Sequence, residues 1–247
     1  MKRLTKKQTE FLDRNVTGTW VLNPDTERID IEGDFEAKLF GHLMGIYFGK
    51  VKGNFNCKAI GISRLDGAPQ IVTGNFDCSQ NYITSLTGCP EFVGGLFNCS
   101  ENQITSLESG PIKVGGNYNV AINDLTSLKG APKEINGYFD CSRNDLTSLT
   151  KAPQIVSGYF DCHNNKLTSL QGSPQRVEGF NCRRNPKLKS IEGGPVYSAG
   201  GFYCDGEIFN IAGSINIKDI FNHIKPGMVY WLDYAYMIDE IFNKKTQ

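Results

Sequence analysis

Charge of one sign, long apolar runs and histidine are all scarce in this chain of 247 residues. Lysine plus arginine total 26, as do aspartate plus glutamate, so the formal net charge is zero. Such a chain lacks the basic footprint that nucleic acids and anionic membranes attract, which argues against both as partners. No stretch approaches the roughly 18 apolar residues of a membrane span. The N-terminal run MKRLTKKQTEFLDRN lacks the apolar centre of a signal peptide, so we expect a reducing cytoplasm.

Residue patterns that support enzyme chemistry are equally few. The three histidines are His42, His163 and His223, and no Ser/His/Asp order suggests a catalytic triad. No glycine-rich phosphate loop and no metal-binding box occurs. We therefore expect neither catalysis nor a metal or other cofactor.

Seven of the eight cysteines mark a repeat of 21 residues. The intervals are multiples of 21, apart from 20 before Cys182 and 22 before Cys204, and Val120 fills the empty slot. A fixed period of this length predicts a solenoid of stacked coils. Because the column accepts valine and shows no zinc-type spacing, we interpret its cysteines as reduced thiols that pack in the core. Cys89, which lies outside the column, is interpreted as a turn residue. The column comprises Cys57, Cys78, Cys99, Cys141, Cys162, Cys182 and Cys204.

Other columns repeat with the cysteine, and the consensus reads V-x-G-x-F-x-C-S-x-N-x-L-T-S-L-x-G-x-P. The alternation F-x-C predicts a short strand with one face in the core. The asparagine is expected to satisfy backbone groups where the strand turns a corner. These columns resemble the leucine-rich repeat pattern L-x-x-L-x-L-x-x-N-x-L. The predicted fold is therefore an α/β solenoid, a leucine-rich repeat with short parallel strands, no long convex helices, and helical caps at both ends.

A closer resemblance lies in the N-terminal runs EFLDRNVTGTWVLN, IDIEGDF and GKVKGNFNC, followed by repeated LTSLxGxP. Together they resemble a group of bacteriophage-encoded leucine-rich repeat proteins over roughly residues 8–206. That resemblance implies a phage origin and a non-enzymatic role. The chain departs from the pattern at Val120, in the shortened coil before Cys182, and in the irregular segment 187–203.

Three segments are predicted along the chain. Residues 1–50 form an N-terminal helical cap and an atypical first coil, 51–206 the leucine-rich repeat solenoid, and 207–247 a C-terminal helical cap. The N-terminal helix is expected from about Thr5, a suitable N-cap, to Asn15.

The C-terminal segment is predicted to hold two helices, near residues 217–224 and 228–243, separated by Pro226-Gly227. The second helix carries Trp231 and Tyr234. It is either a plain cap or a cap that also offers a partner or homo-oligomer surface, since tyrosine and tryptophan are common interface anchors.

The outward face of the strand layer carries the binding hypothesis. Its middle coils are small and polar, whereas its last coils gather tyrosine, arginine and histidine, as protein-binding hot spots do. The alternative is that these polar groups merely solvate the sheet. The candidate protein-binding residues are Tyr138, Tyr159, Tyr203, Arg143, Arg183, Arg184, His163, Asp140 and Asp161, with Trp231 and Tyr234 as a second candidate.

The predicted function follows from the repeat and the resemblance. We expect a non-enzymatic protein-binding scaffold in the host cytoplasm, which binds, and in one version inhibits, a host protein such as a defence component. The inhibitory role rests on fold-level analogy. The rival hypothesis is a structural or accessory virion component.

Overall fold

The structure is a computed structural model that describes residues 3–38, 43–189 and 191–205, and the backbone of 215–216. Over these residues the chain winds into a parallel β-solenoid of about eight coils. The predicted solenoid and its coil of about 21 residues are confirmed. The α/β class is wrong, because the described chain contains one α-helix and otherwise strands and turns. The predicted C-terminal helices, with Trp231 and Tyr234, lie outside the described residues.

Helix α1, Lys6–Asn15, closes the N-terminal end of the solenoid. The Thr5 hydroxyl accepts the Gln8 N–H at 3.3 Å, and the Gln8 side chain accepts the Thr5 N–H at 3.0 Å. This reciprocal capping box starts the helix at the predicted residue. Phe11 and Leu12 are buried, so the helix shields the apolar edge that an open stack leaves exposed. In the part of the chain described, no helix is long and apolar enough to cross a membrane.

Most coils contribute two short strands, one on each side of a corner. Only the second of them, the F-x-C strand, was predicted from the sequence. The strands are β1 Val16–Leu22, β2 Ile29–Glu36, β3 Phe48–Val51, β4 Phe55–Asn56, β5 Ile71–Val72, β6 Phe76–Asp77, β7 Phe92–Val93, β8 Phe97–Asn98, β9 Lys113–Val114, β10 Tyr118–Asn119, β11 Glu134–Ile135, β12 Phe139–Asp140, β13 Ile155–Val156, β14 Tyr159–Asp161, β15 Arg176–Val177, β16 Gly179–Asn181, β17 Tyr197–Ser198, β18 Phe202–Tyr203 and β19 Ile215–Asn216.

The strands form two parallel ladders that meet at β2. The front ladder contains the end of β2 and then β4, β6, β8, β10, β12, β14, β16 and β18. The side ladder runs from the start of β2 through β3, β5, β7, β9, β11 and β13, and β15 and β17 follow as a separate sheet with antiparallel β19. Strand β2 spans both ladders, because its first half pairs with β3 and its end pairs with β4; between them Gly33 has a φ of 135°, a backbone conformation that glycine adopts readily. The antiparallel strand β1 covers the free edge of β2.

The core is built from identical positions stacked one coil above another. Neighbouring rings of the aromatic column, from Phe35 to Phe202, have centroids 4.6–5.7 Å apart. The cysteine column and Val120 are buried beside them, which confirms the core-packing prediction. All eight cysteines are free, and burial raises the pKa of the column thiols, so they stay protonated. Cys89 lies outside the column, half-buried, with its Sγ 3.2 Å from the Ser109 carbonyl oxygen.

The asparagine column joins each coil to the one before it. Asn144 Nδ2 donates to the Val120 carbonyl of the preceding coil at 3.1 Å, and it also lies 3.1 Å from the carbonyls of Cys141 and Ser142. Asn144 Oδ1 accepts the Leu125 N–H at 3.0 Å. The predicted backbone-satisfying role is confirmed. The same arrangement occurs at Asn81, Asn102, Asn123, Asn165 and Asn185.

A left-handed residue follows seven of the front strands, β4 to β16, two places after the cysteine column. Its φ lies between 53° and 58° in seven coils, although no glycine stands there. This conformation swings the chain out of the ladder, so the side chains at this column project from the corner. The residues are Ala59, Gln80, Glu101, Ile122, Arg143, Asn164 and Arg184.

Candidate protein-binding surface

We call the outward surface of the front ladder the front face. One of its columns holds the residue between the aromatic and the cysteine, which is asparagine or aspartate in most coils. The Oδ1 atom of this residue accepts the N–H two places further on, as in Asp77 to Ser79 at 2.9 Å and Asn119 to Ala121 at 3.0 Å. These side chains therefore close a turn in the backbone, a role beyond solvating the sheet.

The column before the aromatic is also structural in the early coils. Asn54 Oδ1 accepts the Asn75 N–H at 2.8 Å, and Asn75 Oδ1 accepts the Leu96 N–H at 2.8 Å. Asn117 Oδ1 likewise accepts the Tyr138 N–H at 3.0 Å. Each amide oxygen thus links one coil to the next, which fixes the register of the front face.

The shortened coil before Cys182 changes this column. The preceding coil reads V-S-G-Y-F at its corner, whereas the short coil reads V-E-G-F, so Gly179 pairs with Tyr159. A Cβ at residue 179 would lie 2.2 Å from Cε2 of the Tyr159 ring. The ring of Tyr159 therefore lies over the backbone of the next coil, in space that only glycine leaves open.

A second tyrosine joins the first across this space. Tyr203 occupies the asparagine/aspartate column, and its hydroxyl donates to the Gly200 carbonyl at 3.4 Å. Its ring centroid is 6.3 Å from that of Tyr159, with 26° between the planes. The Arg183 Cζ lies 4.8 Å from the centroid of the Tyr203 ring. We call Tyr159, Tyr203 and Arg183 the tyrosine–arginine stack. Burial, followed by the neighbouring Tyr203 hydroxyl, raises the pKa of Tyr159.

The acidic candidates lie beside the stack. Asp161 Oδ1 lies 2.8 Å from His163 Nδ1, and its Oδ2 accepts from Asn181 Nδ2 at 3.1 Å. Asp140 pairs with Asp161 in the ladder, and its Oδ1 accepts the Ser142 N–H at 2.9 Å. Burial raises the pKa of Asp140, the bonds from Ser142 oppose the rise, and the charge of Asp161 adds a smaller increase. The front face therefore changes from a repetitive polar ladder to a clustered surface in its last coils.

The remaining candidates lie around this cluster. Tyr138 is half-buried one coil before Tyr159, and burial raises its pKa, but the ring partner of Tyr159 is Tyr203. Arg143 and Arg184 occupy the left-handed corner column and are exposed. They border the front face and do not join the stack.

The structure also shows a feature of the side ladder that sequence reasoning missed. Pairing is interrupted between β13 and β15, beside the coil that is one residue short. A shallow groove runs along this break, and the Arg176 guanidinium lies 4.2 Å from the centroid of the Tyr197 ring. The shortened spacing before Cys182 was the available signal. It did not reveal the first strand of each coil, the side-ladder strand on which the groove depends.

No family model, curated protein or solved structure matches the chain. In the described ranges, no three His, Cys, Asp or Glu side chains are grouped to hold a metal ion. Fold and surface together define the class as a parallel β-solenoid repeat protein with a specialised front face in its last coils.

Proposed function

We propose that this chain is a non-enzymatic scaffold that binds a protein through the last coils of its front face. The tyrosine–arginine stack carries this proposal. Tyrosine and arginine anchor many protein interfaces because they combine large contact area with directed hydrogen bonds. The glycines at residues 179 and 201 leave room for both rings, so the stack is held in place before a partner arrives. Such preorganisation lowers the entropy lost on binding.

We further propose that the coils are leucine-rich repeats of the bacteriophage-encoded kind. The asparagine ladder and the aromatic and cysteine pair in the strand support the repeat type. The phage origin is supported by the N-terminal motifs. In this proposal the protein acts in the host cytoplasm, where it binds and inhibits a host protein such as a defence component.

The test is capture of a host protein by tagged wild-type chain and by matched variants. Tyr159→Ala and Tyr203→Ala should each weaken binding by about 2 kcal/mol, roughly thirtyfold, since they remove interface anchors. Lys58→Ala is the control, because Lys58 is exposed in the same column as Arg183 at the far end of the front face. Asn75, Asn98 and Asn119 are unsuitable controls, because their side chains accept backbone N–H groups.

A captured protein whose affinity drops equally with Lys58→Ala, or with none of these substitutions, would contradict the proposal. Circular dichroism of each variant separates lost binding from lost fold. Recovery of the chain in purified virus particles, without a captured host protein, would favour the virion component instead.

A further inference from the structure

Arg183 has no acidic partner in the part of the chain that the structure describes, although it is half-buried. The carboxylates of the two neighbouring coils accept hydrogen bonds from other groups. Asp205 Oδ1 accepts the Arg184 N–H at 2.6 Å and its Oδ2 accepts the Asn185 N–H at 3.0 Å. Asp161 is held by His163 and Asn181. Among the described residues, the Arg183 guanidinium therefore forms no close ion pair, although two carboxylates lie in the neighbouring coils.

The geometry at Arg183 favours a planar anion. Its guanidinium lies over Tyr203, and that ring is in turn stacked on Tyr159. Stacking fixes the plane of the guanidinium and leaves its N–H edge available for two parallel hydrogen bonds. A carboxylate matches this edge with two oxygen atoms.

Exposed basic side chains lie near Arg183 along the chain, and the carboxylates of Asp161 and Asp205 lie in the coils on either side of it. The segment from residue 176 to 189 holds five basic residues and one acidic residue, Glu178. Arg176, Arg184, Lys187 and Lys189 are all exposed. The exposed basic run favours the approach of an acidic ligand, although the whole chain is neutral.

We propose that the tyrosine–arginine stack anchors the carboxylate of an aspartate or glutamate in an acidic segment of a protein partner. The carboxylate pairs with Arg183, and neighbouring apolar groups of the same segment pack on Tyr159. This inference rests on the proposed protein-binding function and adds the charge of the partner.

The experiment uses the full chain and two peptide probes, Ac-GEEEEG-NH2 and the uncharged match Ac-GQQQQG-NH2. Binding is followed by two-dimensional NMR at roughly 0.15 M salt, where long-range attraction is screened over about 8 Å. The glutamate peptide should bind saturably and shift signals of Tyr159 and Tyr203, and the glutamine peptide should not.

Arg183→Gln should weaken binding of the glutamate peptide at least about tenfold, which corresponds to 1.4 kcal/mol. Arg183→Lys keeps the positive charge but lacks the planar guanidinium, so it should retain only part of the affinity for the glutamate peptide. Lys187→Gln is the matched control, because it removes one positive charge from the same run without touching the stack; it should cost less than about twofold.

Three results would overturn the inference: no saturable binding of the glutamate peptide, equal weakening by Arg183→Gln and Lys187→Gln, or binding of inorganic phosphate or a single-stranded oligonucleotide at the stack in preference to the peptide. A captured partner that depends on Tyr159 and ignores Arg183→Gln would leave the proposed function standing and refute the acidic anchor. Peptide binding without any captured protein would leave the acidic anchor standing and contradict the proposed function.

Discussion

Tyr118 is the position at which the aromatic column departs from its own pattern, and replacing it should stabilise the protein. Every other coil from Phe35 to Phe202 has phenylalanine there. Tyr118 is fully buried, and within the described residues its hydroxyl has no hydrogen-bond partner. Burial also raises the pKa of this phenol, so the group stays neutral and unpaired.

The magnitude follows from the cost of an unpaired buried hydroxyl, about 1–3 kcal/mol. Tyr118→Phe removes that cost and loses only the dispersion contacts of one oxygen atom. The oxygen lies near Gly110, where a Cβ would be 3.3 Å from it, so the small cavity left behind is limited. We expect the free energy of unfolding to rise by about 1–2 kcal/mol, which corresponds to about 2–8 °C in melting temperature for a chain of this size.

Urea unfolding followed by circular dichroism measures the change, provided that the slope m stays the same. Phe139→Tyr is the matched control one coil later, where Ala131 stands in the place of Gly110. It should destabilise the protein, because the new hydroxyl is buried without a partner and meets a methyl group. If Tyr118→Phe lowers stability by more than about 1 kcal/mol, the hydroxyl is hydrogen-bonded and the reasoning fails.

Substitutions at three further positions test the core, the corner and the front face. Cys141→Val should change stability by about 1 kcal/mol or less, whereas Cys141→Asp should unfold the repeat, and stoichiometric zinc or disulfides along the column would contradict this reading. Ile122→Asn should raise the free energy of unfolding by about 0.5–1 kcal/mol, because a β-branched residue is strained at a φ of 56°; an unchanged or lower free energy of unfolding would argue against a left-handed corner. Asp140 has a raised pKa in the folded state, so its ionisation destabilises the fold. Relative to Asp140→Asn, the wild type should therefore lose stability as pH rises from about 3.9 through the folded pKa, and parallel pH profiles of the two proteins would refute the assignment.

The sequence by itself determined the solenoid, its period and its core columns. A repeat of 21 residues places equivalent side chains one above another, so one consensus is enough to assign the buried aromatic, Cys141 and its equivalents, and the asparagine ladder. The N-cap Thr5 could also be predicted from the sequence, because the residues of a capping box lie only three positions apart. The α/β class was mistaken, since the first strand of each coil, in the side ladder, is only two residues long in most coils and has no alternation to detect.

Only the tertiary structure decided how the candidate residues meet. The sequence shows a coil one residue short, but not that the deletion brings Gly179 under the Tyr159 ring. It likewise lists Arg143, Arg183 and Arg184 as equals, whereas the left-handed corner directs two of them away and leaves Arg183 over Tyr203. The physical reason is that these contacts join different coils, and a column pattern describes what coils share. The stack forms where single coils differ from the consensus, at the missing residue before Cys182 and at Tyr203. Its geometry therefore depends on how the side chains of neighbouring coils fill the space left there.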